Sequence, residues 1–255
     1  WYLNPYAHIN ISWNQLSIED VDKYYIPLPE KEERHVCSAD YRYYLNYCTF
    51  SYSMSTWTWE RWEKEIDWMA LHGINMPLQI VGLDVVWKRL LTEYYNYTSE
   101  EANAFIAGPC FQAWWGMNNL EQWGGPNPEW WYERQAKLAK KICDRMQELG
   151  MQPVLPGFSG MVPSNFTEKT GISSNSQGNW CEFKRPHILN PNTDDFKIMA
   201  ANYYKVLAEV MGTSQYYSMD PFHEGANTTD IDVASAYKAI ADAMFAANDD
   251  INEKC

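Results

Sequence analysis

Gln215-Tyr216-Tyr217-Ser218-Met219-Asp220-Pro221-Phe222-His223-Glu224-Gly225 places a carboxylate directly behind a β-prone run. Tyr216, Tyr217 and Met219 favour a buried strand, and Pro221, with no N–H to give, ends its ladder. Glu224 then stands at the carboxyl end of a strand, with Asp220 four residues before it. In barrels built from β–α units, catalytic residues sit on that rim. A carboxyl group that is partly desolvated, or beside another negative charge, holds a proton near neutral pH and delivers it to the leaving oxygen of a glycosidic bond. The chemistry expected at Glu224 is that of a proton-transferring acid in a sugar-cleaving enzyme. The competing reading is a glutamate on a surface loop.

A rim carboxylate needs strands and helices in alternation behind it. Strands are expected over 41–47, 74–80, 151–155 and the run before Glu224. A helix over 57–72 follows from Trp59, Trp62, Ile66 and Met69, which recur at spacings of three and four, with Glu60 and Glu63 complementing its dipole and Gly73 closing it. Further helices are expected over 84–95 and 99–107. Another runs from an Asn127 cap, with Pro128 at its first position and Glu133 four before Lys137, to Leu149 and a closing Gly150. The last two cover 194–211 and 231–248. Residues 48–53 read as a polar loop, 112–126 as a long loop, and Gly157-Phe158-Ser159-Gly160 as the start of a long irregular stretch containing Trp180.

Strand and helix thus alternate four times, which argues for a parallel sheet with helices outside. Loops are long after strands and short after helices, the asymmetry of a (β/α)8 TIM-type barrel. No G-x-G-x-x-G follows the first strand, as a dinucleotide-binding sheet would require. Residues 1–38, with Ile26-Pro27-Leu28-Pro29 and the charged run Glu30-Lys31-Glu32-Glu33-Arg34, are expected to be the C-terminal end of a small α/β domain. Residues 39–255 form the first four βα units of the barrel. Four units leave two raw sheet edges, so the sequence, which starts at Trp1 without Met, reads as a fragment that continues past Cys255.

The net charge of −13 excludes a nucleic-acid backbone as partner, and no apolar run approaches the roughly 18 residues of a membrane span. The 13 Trp and 18 Tyr supply flat rings that stack on sugars as well as fill cores. Cysteines at 37, 48, 110, 143, 181 and 255 form no C-x-x-C, and His223-Glu224 lacks the second histidine of H-E-x-x-H. Neither a metal nor another cofactor is expected. Sequons begin at Asn10, Asn96, Asn165 and Asn227. A glycosidase also needs a second carboxylate. Asp84 is the one rim candidate and fits better as a helix start, so the partner is expected on a later strand.

Tyr43-Tyr44-Leu45-Asn46-Tyr47-Cys48-Thr49-Phe50-Ser51-Tyr52-Ser53, the run from Trp59-Glu60-Arg61-Trp62 to Gly73-Ile74-Asn75, the block from Gly108-Pro109 to Leu120, and Gly150-Met151-Gln152-Pro153-Val154-Leu155-Pro156 carry a resemblance over essentially the whole chain. The sequence resembles the α-N-acetylglucosaminidases of glycoside hydrolase family 89, which include the lysosomal enzyme of heparan sulfate breakdown. The resemblance implies a small N-terminal α/β domain, a (β/α)8 barrel and a C-terminal helical domain. It implies retaining exo-hydrolysis of terminal α-linked N-acetylglucosamine from heparan sulfate or mucin-type glycans in an extracytoplasmic place: secreted, periplasmic or lysosomal. It makes Glu224 the acid/base, with His223 beside it where the human-type enzyme has Asn. It assigns Asn46 and Cys48 to the sugar pocket at the first strand's end, Trp114 and Met117 to the next long loop, and Trp180 to the loop after the third strand. Their alternatives are a turn cap for Asn46, a buried thiol for Cys48 and loop packing for the other three. The nucleophile is expected beyond residue 255, so the chain alone is expected to hydrolyse nothing. The rival class is a non-catalytic carbohydrate-binding or structural fragment, and the residues specify no oligomeric state.

Overall fold

The computed structural model describes residues 30–247. In chain order the strands are β1 (Tyr43–Tyr44), β2 (Met76–Pro77), β3 (Val154–Pro156), β4 (Met161–Val162), β5 (Asn179–Trp180), β6 (Phe183–Lys184), β7 (His187–Ile188) and β8 (Tyr216–Ser218). The helices are α1 (Tyr47–Tyr52), α2 (Trp59–Leu71), α3 (Leu83–Tyr94), α4 (Ser99–Phe105), α5 (Gln112–Gly116), α6 (Glu129–Glu148), α7 (Phe166–Thr170), α8 (Asp194–Met211) and α9 (Val233–Ala247).

β1 pairs parallel with β2, β3 pairs parallel with β8, and a parallel bridge from Leu78 to Val154 joins the two pairs. The sheet order is therefore β1-β2-β3-β8, each strand beside its predecessor, with Leu78 N–H donating to Tyr44 O (2.9 Å) and Gln79 N–H to Val154 O (2.9 Å). The sheet is curled. The Tyr43 and Tyr47 phenols at one edge reach the Ser218 hydroxyl at the other. The Tyr41 ring meets Tyr216 edge-on at 6.0 Å. Burial, reinforced by Tyr43, holds the Tyr47 phenol well above its ordinary pKa.

The helices pack outside this arc, α2 on α6, α6 on α8 and α8 on α9. The expected face of α2 is the buried one: Trp62, Ile66 and Met69 are fully enclosed. Half-buried Trp59 lies under the Lys141 ammonium at 4.5 Å. Both α2 and α6 end in the same motif. Ile74 N–H bonds to Met69 O (3.0 Å) and Met151 N–H to Met146 O (2.9 Å). Gly73 and Gly150 take the left-handed residue, at φ +75 and +78. The main core gathers Trp87, Phe105, Trp115, Phe158, Phe196 and Tyr203 between α3 and α8. No helix among the described residues is long and apolar enough to cross a membrane.

Several local expectations are corrected. Residues 47–52 are helical: Asn46 Oδ1 accepts from Thr49 N–H (3.1 Å), Thr49 returns to Asn46 N–H, and packing against α5 completes the turn. The 112–126 loop contains α5 itself. Pro128, not Asn127, caps α6; buried Asn127 instead donates to Ala107 O (3.2 Å) and to Asn103 Oδ1 through its backbone N–H (3.0 Å). Only Glu60 lies in the first turn of α2. The stretch after β3 is not irregular, since β4 pairs antiparallel with β7 and β5 with β6. The four strands contribute only short ladders, narrower than the apolar runs suggest, because pairing ends where each chain turns out to its loop. Of the boundary expected at residue 38, residues 1–29 lie outside the described residues, and 30–42 are irregular up to β1.

The loop 106–125 is closed by a near approach of two backbones. Gly108 N–H donates to Trp123 O (2.8 Å), and a Cβ on Gly108 would stand 2.0 Å from the Gly124 carbonyl oxygen. Gly108→Ala forces backbone apart rather than a side chain aside, so a loss of about 1–3 kcal/mol is expected. Thermal melting of the full-length protein measures it, and an unchanged Tm contradicts the close approach.

Candidate active site

β8 delivers its chain to a tight turn in which Phe222, Glu224 and Gly225 all have positive φ (+65, +44 and +76). Left-handed backbone is unfavourable for side chains with a Cβ, so the turn needs outside support. Arg185 supplies it: its guanidinium donates to His223 O (3.0 Å) and Glu224 O (2.8 Å) and is only 2% exposed. Burial holds that guanidinium below its ordinary pKa, opposed by the Glu224 charge. Gln177 adds a second tie, accepting from Asn227 N–H (2.8 Å) and donating to Asn227 O (3.3 Å). The loop after β3 thus holds the loop after β8.

The Glu224 carboxylate is asymmetric. Its Oε2 accepts from Asn119 Nδ2 (2.9 Å) and from the Trp180 indole N–H. Its Oε1 faces His223 Nε2 at 3.6 Å. His223 Nδ1 hydrogen-bonds Asp220. A carboxylate only accepts, so Nδ1 carries the hydrogen and Nε2 is turned to Glu224.

Trp180 is aimed by the β5–β6 hairpin, where Cys181 and Glu182, at φ +46 and +70, form a two-residue turn between the paired Trp180 and Phe183. The Phe183 ring is held in turn by Trp123 at 4.8 Å. Asn119 follows left-handed Asn118 (φ +66) and is fixed through its N–H to Trp114 O (2.9 Å). Two residues on, the buried Glu121 carboxylate takes the Ser164 hydroxyl and N–H (3.1 Å) and meets Lys184 Nζ at 3.4 Å. Glu121 knits together the segments that carry Asn119 and Trp180.

The structure therefore brings Trp180 and His223 to Glu224. Asn46 and Cys48 belong to α1 and its cap, and Trp114 and Met117 to α5 and its cap, the helix that packs on α1. Asn46 is the exposed cap of α1, Cys48 is half-buried, Trp114 meets Tyr52 edge-on at 5.4 Å, and Met117 caps the end of α5. Asp84 lies in the first turn of α3 and is 1% exposed. It accepts from Gln112 Nε2 (2.8 Å), Trp131 Nε1 (2.7 Å) and Val85 N–H (2.9 Å), and burial raises its pKa. Asn119, Arg185 and Gln177 escaped sequence reasoning. They lie in segments without periodicity, and their partners are between 38 and 105 residues away. Among the described residues no group of His, Cys, Asp and Glu is placed to hold a metal ion.

A curled parallel sheet with outer helices, presenting a braced glutamate at the rim of its fourth strand, defines a β/α-barrel domain of the glycosidase type. A family model described as alpha-N-acetylglucosaminidase (NAGLU) TIM-barrel domain matches residues 42–252. The chain belongs to the alpha-N-acetylglucosaminidase family. Human alpha-N-acetylglucosaminidase is 34% identical over 256 residues, which is 97% of this chain and 34% of the human protein. A family 89 glycoside hydrolase from Clostridium perfringens, in complex with 2-acetamido-1,2-dideoxynojirmycin, matches with a TM-score of 0.80 at 43% identity, over 83% of this chain and 25% of that one. A variant of the Clostridium perfringens enzyme with two glutamates replaced by glutamine, in complex with its substrate GlcNAc-alpha-1,4-galactose, matches at 0.80 and 42% identity over 83% and 24%. The chain spans about a third of the human relative and about a quarter of the bacterial one.

Proposed function

We propose that this chain carries the acid/base half of the site of a retaining exo-glycosidase, which removes terminal α-linked N-acetylglucosamine from heparan sulfate or mucin-type glycans. The observation that carries the reading is the Glu224 carboxylate: two N–H donors occupy Oε2, and Oε1 is left to carry the proton. In the first step Oε1 gives that proton to the departing glycosidic oxygen; in the second it takes one from the attacking water. Asn46, Cys48, Trp114, Met117 and Trp180 line the sugar pocket in this reading, with His223 beside the acid. The bound substrate and the paired glutamate replacements in the bacterial relative support it.

Retention needs a nucleophilic carboxylate about 5–5.5 Å from the acid. The residues directly after β1, β2 and β3 are Leu45-Asn46, Leu78-Gln79 and Gly157-Phe158, none of them acidic. The nucleophile is accordingly placed beyond residue 255, and the isolated chain hydrolyses nothing. Residues 1–38 belong to a preceding α/β domain in the same reading, and the location is extracytoplasmic. Asn96, Asn165 and Asn227 are all exposed, as glycan acceptors must be.

The test is the anomer released first by the full-length protein from an aryl α-N-acetylglucosaminide, followed by proton NMR. The α-anomer is expected. The β-anomer would mean inversion, and sugar binding without release would favour the binding-protein class.

A further inference from the structure

Asn119 is the other donor to Glu224 Oε2, and nothing in its sequence neighbourhood singles it out. Its side chain is fully buried, its Nδ2 stands 2.9 Å from Oε2, and its Oδ1 has no hydrogen-bond partner among the described residues. Indole N–H only donates, so Trp180 commits Oε2 to accepting. With Oε2 so committed, the Asn119 amide keeps its NH2 toward Glu224, which leaves Oδ1 unmatched. A buried acceptor without a donor is unfavourable, and the contact to Oε2 is what the amide gains in that orientation.

We propose that Asn119 is a positioning residue for the acid/base: its buried amide holds Oε2 so that Oε1 alone carries and delivers the proton. The inference rests on Glu224 being that acid. Asn119 does not reach substrate; it acts through the Glu224 carboxylate. The frame around it is rigid enough for the task. The Asn119 N–H is bonded to Trp114 O (2.9 Å). Glu121 N–H donates to Lys184 O (3.0 Å), and the Glu121 carboxylate engages Ser164. The amide therefore reports the position of the β5–β6 hairpin to the acid loop. A carboxyl group freed of one donor rotates, spreads its proton over two oxygens and misses the in-line path to the leaving oxygen.

The experiment compares kcat/KM of the full-length protein on two aryl α-N-acetylglucosaminides, one with a dinitrophenyl leaving group that departs without a proton and one with a phenyl group that needs it. Asn119→Ala and the isosteric Asn119→Asp are each expected to lose about 10–100-fold on the phenyl substrate and less than about 3-fold on the dinitrophenyl one. In Asn119→Asp the two neighbouring carboxyl groups share one proton, so the proton is no longer held on Oε1 alone. A merely structural role would lower both substrates equally, and that result overturns the proposal, as does wild-type behaviour on both. If Asn119→Ala fails to fold, Asn119→Asp decides, because it preserves shape. Glu224→Gln run in parallel separates the two ideas. Leaving-group selectivity in Glu224→Gln without any in the Asn119 variants sinks the positioning role alone, whereas its absence in Glu224→Gln sinks the acid assignment.

Discussion

In the full-length protein, Glu224→Gln lowers kcat/KM for an aryl α-N-acetylglucosaminide with a poor leaving group by about 10²–10⁴-fold, which is about 3–5 kcal/mol of transition-state stabilisation. The substitution is chosen because it changes little else. The amide oxygen takes the place of Oε2 and still accepts from Asn119 and Trp180, and the Arg185 bonds to the backbone are untouched. Sugar binding and Tm are therefore preserved while the transferable proton is gone. An activated leaving group needs no proton, so its kcat/KM falls less than about 10-fold. Glu224→Ala opens space where the base stood. Azide added to it is expected to restore kcat and yield the glycosyl azide with the α configuration, as a retaining acid/base predicts. An equal loss on both leaving groups, or no product azide, would remove Glu224 from the acid role.

Asp84→Ala is expected to unfold the barrel domain more readily by about 2–5 kcal/mol, because it leaves the Gln112 amide and the Trp131 indole N–H buried without an acceptor. At about 2–4 °C per kcal/mol, Tm falls by roughly 4–20 °C. Asp84→Asn keeps one acceptor oxygen and loses less. The pair also has a pH signature. Burial raises the Asp84 pKa above the ordinary carboxylate value of 3.8 in the folded chain. Between 3.8 and the raised value the folded state binds more protons than the unfolded one, so stability from this group is full below 3.8 and is lost as pH rises through the folded pKa. The stability of the parent relative to Asp84→Asn, which does not titrate, should decline as pH rises above 3.8 and through the raised folded pKa. Melting curves of both proteins across that range check the sign, and a flat or rising difference would refute it.

Helices were legible where one apolar face recurred. The spacing of Trp59, Trp62, Ile66 and Met69 names the buried side of α2, and the glycines after α2 and α6 mark where they close. The same logic failed for 47–52, a single turn made by a cap and by contact with α5, too short for periodicity to register. It failed for the β5–β6 hairpin because Cys181-Glu182 occupies the turn, where Asn-Gly would have announced positive φ. It misplaced the start of α6, since Asn127 spends its side chain on Ala107 rather than on the helix.

The sequence by itself determined the alternation of β and α segments, the strand that leads to Glu224, and the acidic, aromatic-rich character of the chain. These depend on neighbours a few residues apart, and local spacing records them. The tertiary structure alone decided which oxygen of Glu224 accepts the two N–H bonds and which faces histidine, because that is set by Asn119, Trp180 and His223, groups 105, 44 and one residue away along the chain. It alone showed that Arg185 braces the left-handed turn and that Asp84 is a buried fastener of three helices rather than a rim carboxylate. Hydrogen bonds between distant loops leave no periodic trace in a sequence; they exist only once the curled sheet has brought the loop ends to one rim.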